Sequence, residues 1–421
     1  MDNFSLNNGG SFTPQPTTPP HTTFKIIEAF IYMKALISIE NAIIKLIECF
    51  LFHQRQEGKV EKVLILTSAR IGDFIVTIPA IKKIRESFPN ANILLLCTDG
   101  VNKLHSERLD GHPEWFGFAD HLVDEIIFVK GSEIVKTSTI QNLRNIISKN
   151  SPDIVFALDP VGAGIKSKIK KAFFLRCIGV KCKVYGLKVI FDLNIKSLRK
   201  AYFKHGLIKH MSWGPLNAVT EIIKTYDKSP SYSVHIDLSK VRDEIRKLAN
   251  QKNYIILFPG GASMIKRWPN QKYFELIRRL KHKWPTIDFY VIGGNDCDFD
   301  LGSDNLIRQL IKTNLCGQTN LMETAYLIKD ALLFIGNDSG PAHLSAALGT
   351  QTVVIENSQN HPGLWWDSSQ PNVHVIRKEP HCAFCYAYPV CPNNTFKCIN
   401  DIEVEDVEEV VHCVLHSIMY S

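Results

Sequence analysis

The alternation of apolar runs and amphipathic stretches along this chain predicts an α/β protein with two parallel sheets. Val60 to Leu66 is an apolar, β-branched run with the length of a buried strand. A helical pattern follows from Phe74 to Ser87, closed by Pro89, and Ile93–Cys97 reads as the next strand. Strand-like runs recur at Glu125–Val129, Ile154–Leu158 and Lys183–Tyr185, with helical patterns at about Ile134–Ser148 and Ile165–Cys177 between them. Such βαβ alternation implies a parallel sheet covered by helices on both faces. After the polar stretch Thr225–Ser233 a second series begins, with strands at Tyr254–Phe258, Ile287–Ile292, Asn314–Cys316, Leu332–Ile335 and Thr352–Glu356. Helices are expected from Pro269 to near Trp284, over Leu306–Lys312, Leu321–Lys329 and Ala342–Leu348, and last over Val404–Ile418.

The N-terminus follows a different pattern. The first 23 residues are rich in Asn, Ser, Thr, Pro and Gly and read as a disordered tail. Residues 24–58 form an amphipathic helical segment, strongly apolar over 24–52. Lys34, Ser38, Asn41, Lys45 and Glu48 recur at three- and four-residue steps and draw one polar stripe along it. Its charges are too many for a bilayer-spanning helix. Two placements remain open: packing on the protein's own body or a second copy, and lying in a membrane interface.

Composition adds three constraints. With 421 residues, two domains are expected. Eleven cysteines in a long chain without a cleavable signal sequence suit the reducing cytoplasm better than a disulfide scaffold. Lys and Arg outnumber Asp and Glu by only 49 to 42, yet Lys166 to Lys209 faces a single acid, Asp192. A polyanionic substrate, an acidic membrane surface or a plain solvated face would each account for that run. No ribonucleoprotein, finger or helix-turn-helix signature accompanies it, which sets nucleic acid aside.

Three loops that follow strand carboxyl ends carry the candidate chemistry, since ligands in open α/β sheets bind at that edge. In Gly336-Asn337-Asp338-Ser339-Gly340-Pro341 a strand turns sharply into a helix, with Ser339 placed to cap and Pro341 in the first turn. Free N–H groups and the positive helix end make a site for phosphate, with His343 and the Ser339 hydroxyl as further donors. Residues 259–268 supply Gly260, Gly261 and Lys266, and residues 293–296 end in Asp296, an acid suited to ribose hydroxyls. In the first series, Gly72-Asp73 opens a helix, so Asp73 is either its N-cap or a carboxylate at the mouth of a site. Cys382, Cys385, Cys391 and Cys398 are spaced loosely enough for zinc or an iron–sulfur centre, though reduced structural thiols are the expectation because no standard finger has this spacing.

The stretches ILTSARIGDFIVTIPAIKKIRESFPNANI, FPGGASMIKRWP and GNDSGPAHLSAALG, in this order and spacing, resemble glycosyltransferase family 9, the heptosyltransferases of lipopolysaccharide core assembly. The resemblance covers nearly all of residues 60–415. It implies a GT-B architecture, with two Rossmann-like domains facing across a cleft. The N-terminal acceptor domain would span 59–227 and the C-terminal donor-nucleotide domain 228–400, with residues 401–421 a helix returning toward the first domain. Asp73 matches the family's general base and Lys266 its lysine on the donor pyrophosphate, with Gly260 and Ser263 in the same loop. Asp296 falls near the acid that holds the ribose and Thr319 where a residue contacts the adenine. Asp338, Ser339, Gly340 and His343 match the phosphate-binding turn. Gly261 and Ala262 depart from the hydroxyl-bearing residues of some members, and the N-terminal tail and helix are additions.

The implied function is inverting transfer of a heptose from ADP-heptose to a lipopolysaccharide core acceptor. Other readings on the same scaffold are a different nucleotide sugar, or a non-catalytic relic that binds one. A lysine and a helix N-terminus can neutralise a departing diphosphate, so no cofactor and no metal is expected. The acceptor would be an anionic glycolipid at the cytosolic face of the inner membrane, with peripheral membrane contact. Arg70, Lys166 and Lys168 are the acceptor-side candidates.

Overall fold

The computed structural model describes residues 20–52, 58–68, 70–98, 114–159, 164–189, 210, 212–220, 222, 232, 234–261, 263–294, 305–366, 370–386 and 390–420. The chain is mixed α/β. Five strands, β1 (Lys62–Ser68), β2 (Asn92–Thr98), β3 (Glu125–Val129), β4 (Ile154–Leu158) and β5 (Val184–Tyr185), form one sheet in the order β3-β2-β1-β4-β5. Six more form a second: β6 (Tyr254–Phe258), β7 (Asp288–Val291), β8 (Thr313–Asn314), β9 (Leu333–Asn337), β10 (Thr352–Ile355) and β11 (Val373–Ile376), in the order β11-β10-β9-β6-β7-β8. Every pairing is parallel. The carboxyl ends of all strands in a sheet therefore share one edge, and the loops leaving them gather there.

Side-chain alternation explains how each sheet is covered. Val63 and Ile65 of β1 enter one apolar cluster, while Leu64 and Leu66 enter another on the opposite face. In β6, Tyr254, Ile256 and Phe258 point to the first cluster and Ile255 and Leu257 to a third. That first cluster is continuous between the sheets, because the helices Ile71–Ser87 and Gly340–Leu348 both feed it. The two halves thus share a core and cannot be described as beads on a string. The expected boundary at 227 and 228 lies outside the described residues, as do the tail residues 1–19 and the basic residues Lys196 to Lys209.

The N-terminal helix runs from Pro20 to Leu51, four residues earlier than its predicted start. Ile44 and Phe52 are buried in the outer core of the first sheet. Asn41 donates from Nδ2 to the Val189 carbonyl and accepts the Val189 N–H at Oδ1, both at 2.9 Å. So the helix packs on the protein's own body, and its predicted polar stripe is broken: Asn41 turns inward. The exposed side carries Ile39, Ile43, Leu46 and Phe50 at helical spacing, with Lys34, Ser38 and Lys45 also exposed. Among the described residues no helix is long and apolar enough to cross a membrane.

The C-terminal helix, Val404–Tyr420, corrects an expectation. It packs on the second sheet instead of returning to the first domain. Val404, Val407, Val411 and Leu415, spaced three and four apart, bury against Tyr273, Leu276, Ile277 and Leu280 of the helix Asn270–Lys283. Arg279 adds ion pairs at 2.7 Å to Glu405 and 3.1 Å to Glu408, and Lys378 meets Asp406 at 2.6 Å. An apolar stripe of that length finds its complement on the nearest exposed sheet face, and local connection wins. Strand β11 escaped the sequence reading because the Val373–Ile376 run is short and sits at the sheet's edge.

Leu415 is wholly buried in this interface. Leu415→Ala is expected to lower unfolding stability by roughly 2–5 kcal/mol in urea titration. A loss below about 1 kcal/mol would mean that the helix does not pack as described.

Candidate active site

The site lies where the carboxyl edges of the two sheets meet. On the first side, β1 ends at Ser68 and the helix begins at Ile71, with Arg70 as its extended N-cap residue making no side-chain cap bond. Asp73 is therefore not the cap but the third helical residue. Its Oδ2 accepts the Ser68 hydroxyl at 3.0 Å, which aims the carboxylate back toward the strand end. Burial pushes its pKa above the ordinary carboxylate range; Arg70, Ser68 and Lys266 pull the other way, and burial wins. A carboxyl raised in this manner is a better proton acceptor than a solvated one.

Asp159, at the end of β4, faces the same region and is held differently. Burial alone would raise its pKa, yet Lys168 and Lys171 bring it down to about 2. Lys168 donates to Asp159 Oδ2 at 2.9 Å and to the Gly186 carbonyl at 2.7 Å, and Lys171 donates to Asp159 Oδ1. Lys168 is thus a buried structural ammonium and not an exposed acceptor contact, which corrects its predicted role. The exposed members of the predicted acceptor side are Arg70 and Lys166.

On the second side, Lys266 closes a short 3₁₀ turn, Met264–Lys266, after the glycine loop. Its Nζ meets Asp338 Oδ2 at 2.5 Å, and the Trp366 indole N–H donates to Asp338 Oδ1 at 3.1 Å. Burial would raise the Asp338 pKa, but Lys266, His343 and the indole outweigh it and hold the group ionised. Asp338 was expected to join the phosphate turn. With both oxygens engaged and a negative charge, it instead holds the lysine in place.

His343 lies flat against Trp366, with ring centroids 4.1 Å apart, and burial lowers its pKa to about 3. The imidazole is neutral at physiological pH and serves as a hydrogen-bonding group, not a cation. Ser339 is the N-cap of the helix Gly340–Leu348 by position, but its hydroxyl donates to the Asn337 carbonyl at 2.9 Å instead of capping. The first helical N–H groups are therefore left toward the cleft. Ser263 is buried and its carbonyl accepts the Lys266 N–H at 3.1 Å. Gly260 accepts from Asn337 Nδ2 at 2.9 Å, and the Thr319 hydroxyl pairs with that of Thr324 at 2.9 Å. Asp296 lies outside the described residues.

Several residues of this site were not singled out from the sequence. Asn337, fully buried, donates to the Pro259 and Gly260 carbonyls and accepts from the Trp268 N–H and the Tyr273 hydroxyl. It clamps the glycine loop to β9, and its position as a polar residue ending an apolar strand was the available signal. His210 bonds through Nε2 to the Trp365 carbonyl at 2.8 Å. Glu356, just past β10, pairs with Arg377 at 2.8 Å, and burial raises its pKa to about 7. Nothing local in the sequence marks Trp366 or Glu356, since both arrive from loops far from the glycine turn.

The two sides touch. A Cβ on Gly340 would lie 2.2 Å from Ile71 Cγ2, and one on Gly72 would lie 3.3 Å from His343 Cδ2. Lys266 is near enough to stabilise the Asp73 carboxylate electrostatically. Two helix N-termini, one acid and one ammonium thus converge on a single cleft. The contact between Gly340 and Ile71 has a measurable consequence. Gly340→Ala should reduce activity by roughly tenfold or more, because a Cβ there forces the two helix starts apart. Adding Ile71→Ala should restore most of the loss; a double variant no better than the single one would show that the close approach is not what matters.

Comparison with known proteins identifies the family and the fold. The family model described as glycosyltransferase family 9 (heptosyltransferase) matches residues 164–385. Lipopolysaccharide heptosyltransferase 3 of Escherichia coli K12 is 23% identical over 72% of this chain and 83% of its own length. Among solved structures, a family 9 glycosyltransferase from Veillonella parvula superposes with a TM-score of 0.56 at 18% identity, covering 86% of this chain and 99% of that one. The E. coli ADP-heptose lipopolysaccharide heptosyltransferase II gives 0.55 at 17% identity, covering 85% and 99%. These two share the GT-B fold of this chain. With more than half of its length matched by the family model and both cleft-forming sheets in place, the chain belongs to glycosyltransferase family 9 and is a glycosyltransferase.

Proposed function

We propose that this glycosyltransferase moves a heptose from ADP-heptose to an anionic lipopolysaccharide core acceptor, with inversion at the anomeric carbon. The observation that carries the reading is the placement of Asp73 across the cleft from Lys266 and the helix start at Gly340. The family description and the relative's name support heptose and lipopolysaccharide as the substrates. Asp73 takes the proton of the acceptor hydroxyl as its oxygen attacks the anomeric carbon, and the bond from that carbon to the diphosphate breaks on the opposite face. Lys266 and the N–H groups at the start of the helix Gly340–Leu348 receive the charge that develops on the departing ADP. Asp338 positions Lys266, and neutral His343 offers a hydrogen bond without adding charge. The charge demand of the step is met by these groups, so the reading calls for no metal in the transfer itself.

Asp73→Asn should cut turnover by about a hundredfold or more while leaving ADP affinity within about twofold. Lys266→Ala should do the reverse first, weakening ADP binding in calorimetry by roughly tenfold or more. Because burial raises the Asp73 pKa, the acid limb of kcat/KM should fall at a pH above 3.8, with activity lost as pH drops through it. Ser68→Ala, which removes a bond to the carboxylate, should shift that limb further up. Turnover that survives Asp73→Asn would dismiss the base assignment.

The reading includes peripheral attachment at the cytosolic face of an anionic membrane. The exposed apolar face of the N-terminal helix sits beside the helix Ile165–Cys177, against which that helix packs. The neighbouring helix exposes Lys166, Lys170 and Phe173 on its outer side. Apolar insertion and basic attraction act as two weak anchors. Leu46 and Phe50 are 72% and 89% exposed, so replacing both with Ser removes apolar area without disturbing the core. In vesicle sedimentation the double variant should bind anionic vesicles roughly tenfold more weakly than the parent chain. Parent chain that stays in the supernatant at low salt would rule out attachment.

A further inference from the structure

The two sides of the cleft meet through a shared apolar core, and burial of that kind rewards area without fixing an angle. A hydrogen bond is directional and does fix one. His210 makes such a bond from the first side to the second, with its Nε2 2.8 Å from the Trp365 carbonyl.

On the first side His210 stands just before the helix Trp213–Thr220, which packs on β4 and on the helix Ile71–Ser87. Ala218 and Val219 of that helix are buried in the shared core. The ring itself is held by Ser212, a buried residue whose hydroxyl lies 2.8 Å and whose backbone N–H lies 3.3 Å from Nδ1. A backbone N–H can only donate, so Nδ1 is an acceptor here. The Trp365 carbonyl can only accept, so Nε2 carries the hydrogen. Partners on opposite sides of the ring thus select the same tautomer.

On the second side Trp365 and Trp366 belong to the loop that follows β10. Trp366 is buried, lies flat on His343 and gives its indole N–H to Asp338. Trp365 is half-buried, its ring 5.6 Å from that of His343. Trp366 is anchored by its own packing, so the diphosphate side does not need His210 to hold its shape. What His210 adds is a link to the side that carries Asp73. Another polar link, from the His235 N–H to the Phe118 carbonyl at 2.9 Å, lies where the chain enters the second α/β series. His210 acts at the site itself.

We propose that His210 is a positioning residue for the transfer, a latch that keeps the donor side in register with Asp73. The inference rests on the reading above, in which Lys266 and the helix start at Gly340 hold ADP and Asp73 takes the acceptor's proton. ADP binding uses groups of one side only. The transfer step needs both sides, because base, acceptor oxygen and anomeric carbon must fall into line, and a misplacement of about 1 Å costs on the order of a hundredfold. Loss of the latch therefore slows the step and leaves ADP affinity in place. His210 does this through the Trp365 backbone, so any side chain that returns an N–H at the same reach replaces it.

Two variants of the full-length chain test this. His210→Phe keeps a ring of similar size and removes the donor, whereas His210→Gln restores an amide N–H. With ADP-heptose and a core acceptor, His210→Phe should lower kcat by roughly fivefold or more while calorimetry finds ADP affinity within about twofold of the parent. His210→Gln should recover most of the loss. Hydrogen exchange followed by mass spectrometry should show residues 71–77 and 340–348, one stretch on each side, exchanging faster in His210→Phe than in the parent or in His210→Gln. The exchange comparison needs no substrate, so it decides the latch even if heptose transfer is not the reaction. An unchanged kcat in His210→Phe would overturn the proposal. So would tenfold weaker ADP binding with kcat kept, or faster exchange confined to residues 361–366, since either would make His210 a brace of the donor loop alone.

Discussion

The buried pair between Lys266 and Asp338 is the constraint around which the cleft is built. Taking both charges out of water is costly, and the cost is recovered only where geometry is good and every remaining lone pair is used. Here the ammonium meets the carboxylate at 2.5 Å and the Trp366 indole satisfies the second oxygen. Loop 263–266, β9 and the loop carrying Trp366 must all be in place for this to hold. Removing Lys266 would leave the buried Asp338 charge uncompensated, and Asn337 at the same strand end clamps the glycine loop that precedes the lysine.

The same shortage of water sets the proton states across the cleft. Desolvation favours neutral forms, so it raises the Asp73 carboxyl and lowers the His343 imidazole. One cause thus yields an acid suited to accepting a proton and a histidine that brings no charge to a diphosphate site. Asp159 and Asp338 are exceptions: neighbouring lysines outweigh burial and keep both ionised. The positive ends of two helices then offset the negative groups without any side chain having to titrate.

Beyond the cleft, two features take no direct part in the transfer chemistry. The N-terminal helix packs on the first sheet through Ile44 and Phe52 yet leaves an apolar face outward beside basic residues. The cysteine loops line a small cavity together with Ile265, next to the turn that carries Lys266. Both reach the cleft only through packing.

The amino-acid sequence by itself determined every strand but β11, most helices and the order of the loops that carry chemistry. Parallel strands buried on both faces are read from local composition, since periodicity and β-branching act over a few residues. Asp73, Lys266 and the turn at Ser339 were legible for the same reason. Tertiary structure alone decided what those groups do. Asp73 turned out not to cap its helix, Ser339 to spend its hydroxyl on Asn337, and Lys168 to be consumed by Asp159. The partners are near in sequence, with Ser68 five, Asn337 two and Asp159 nine residues away, but which neighbour each side chain meets is set by the folded backbone and by burial, not by the local pattern. The final helix followed the same logic: its apolar stripe was visible at once, but only packing revealed that its complement was the second sheet. Burial, pairing and the meeting of two sheet edges are properties of the folded chain, and they alone convert a list of polar residues into a site.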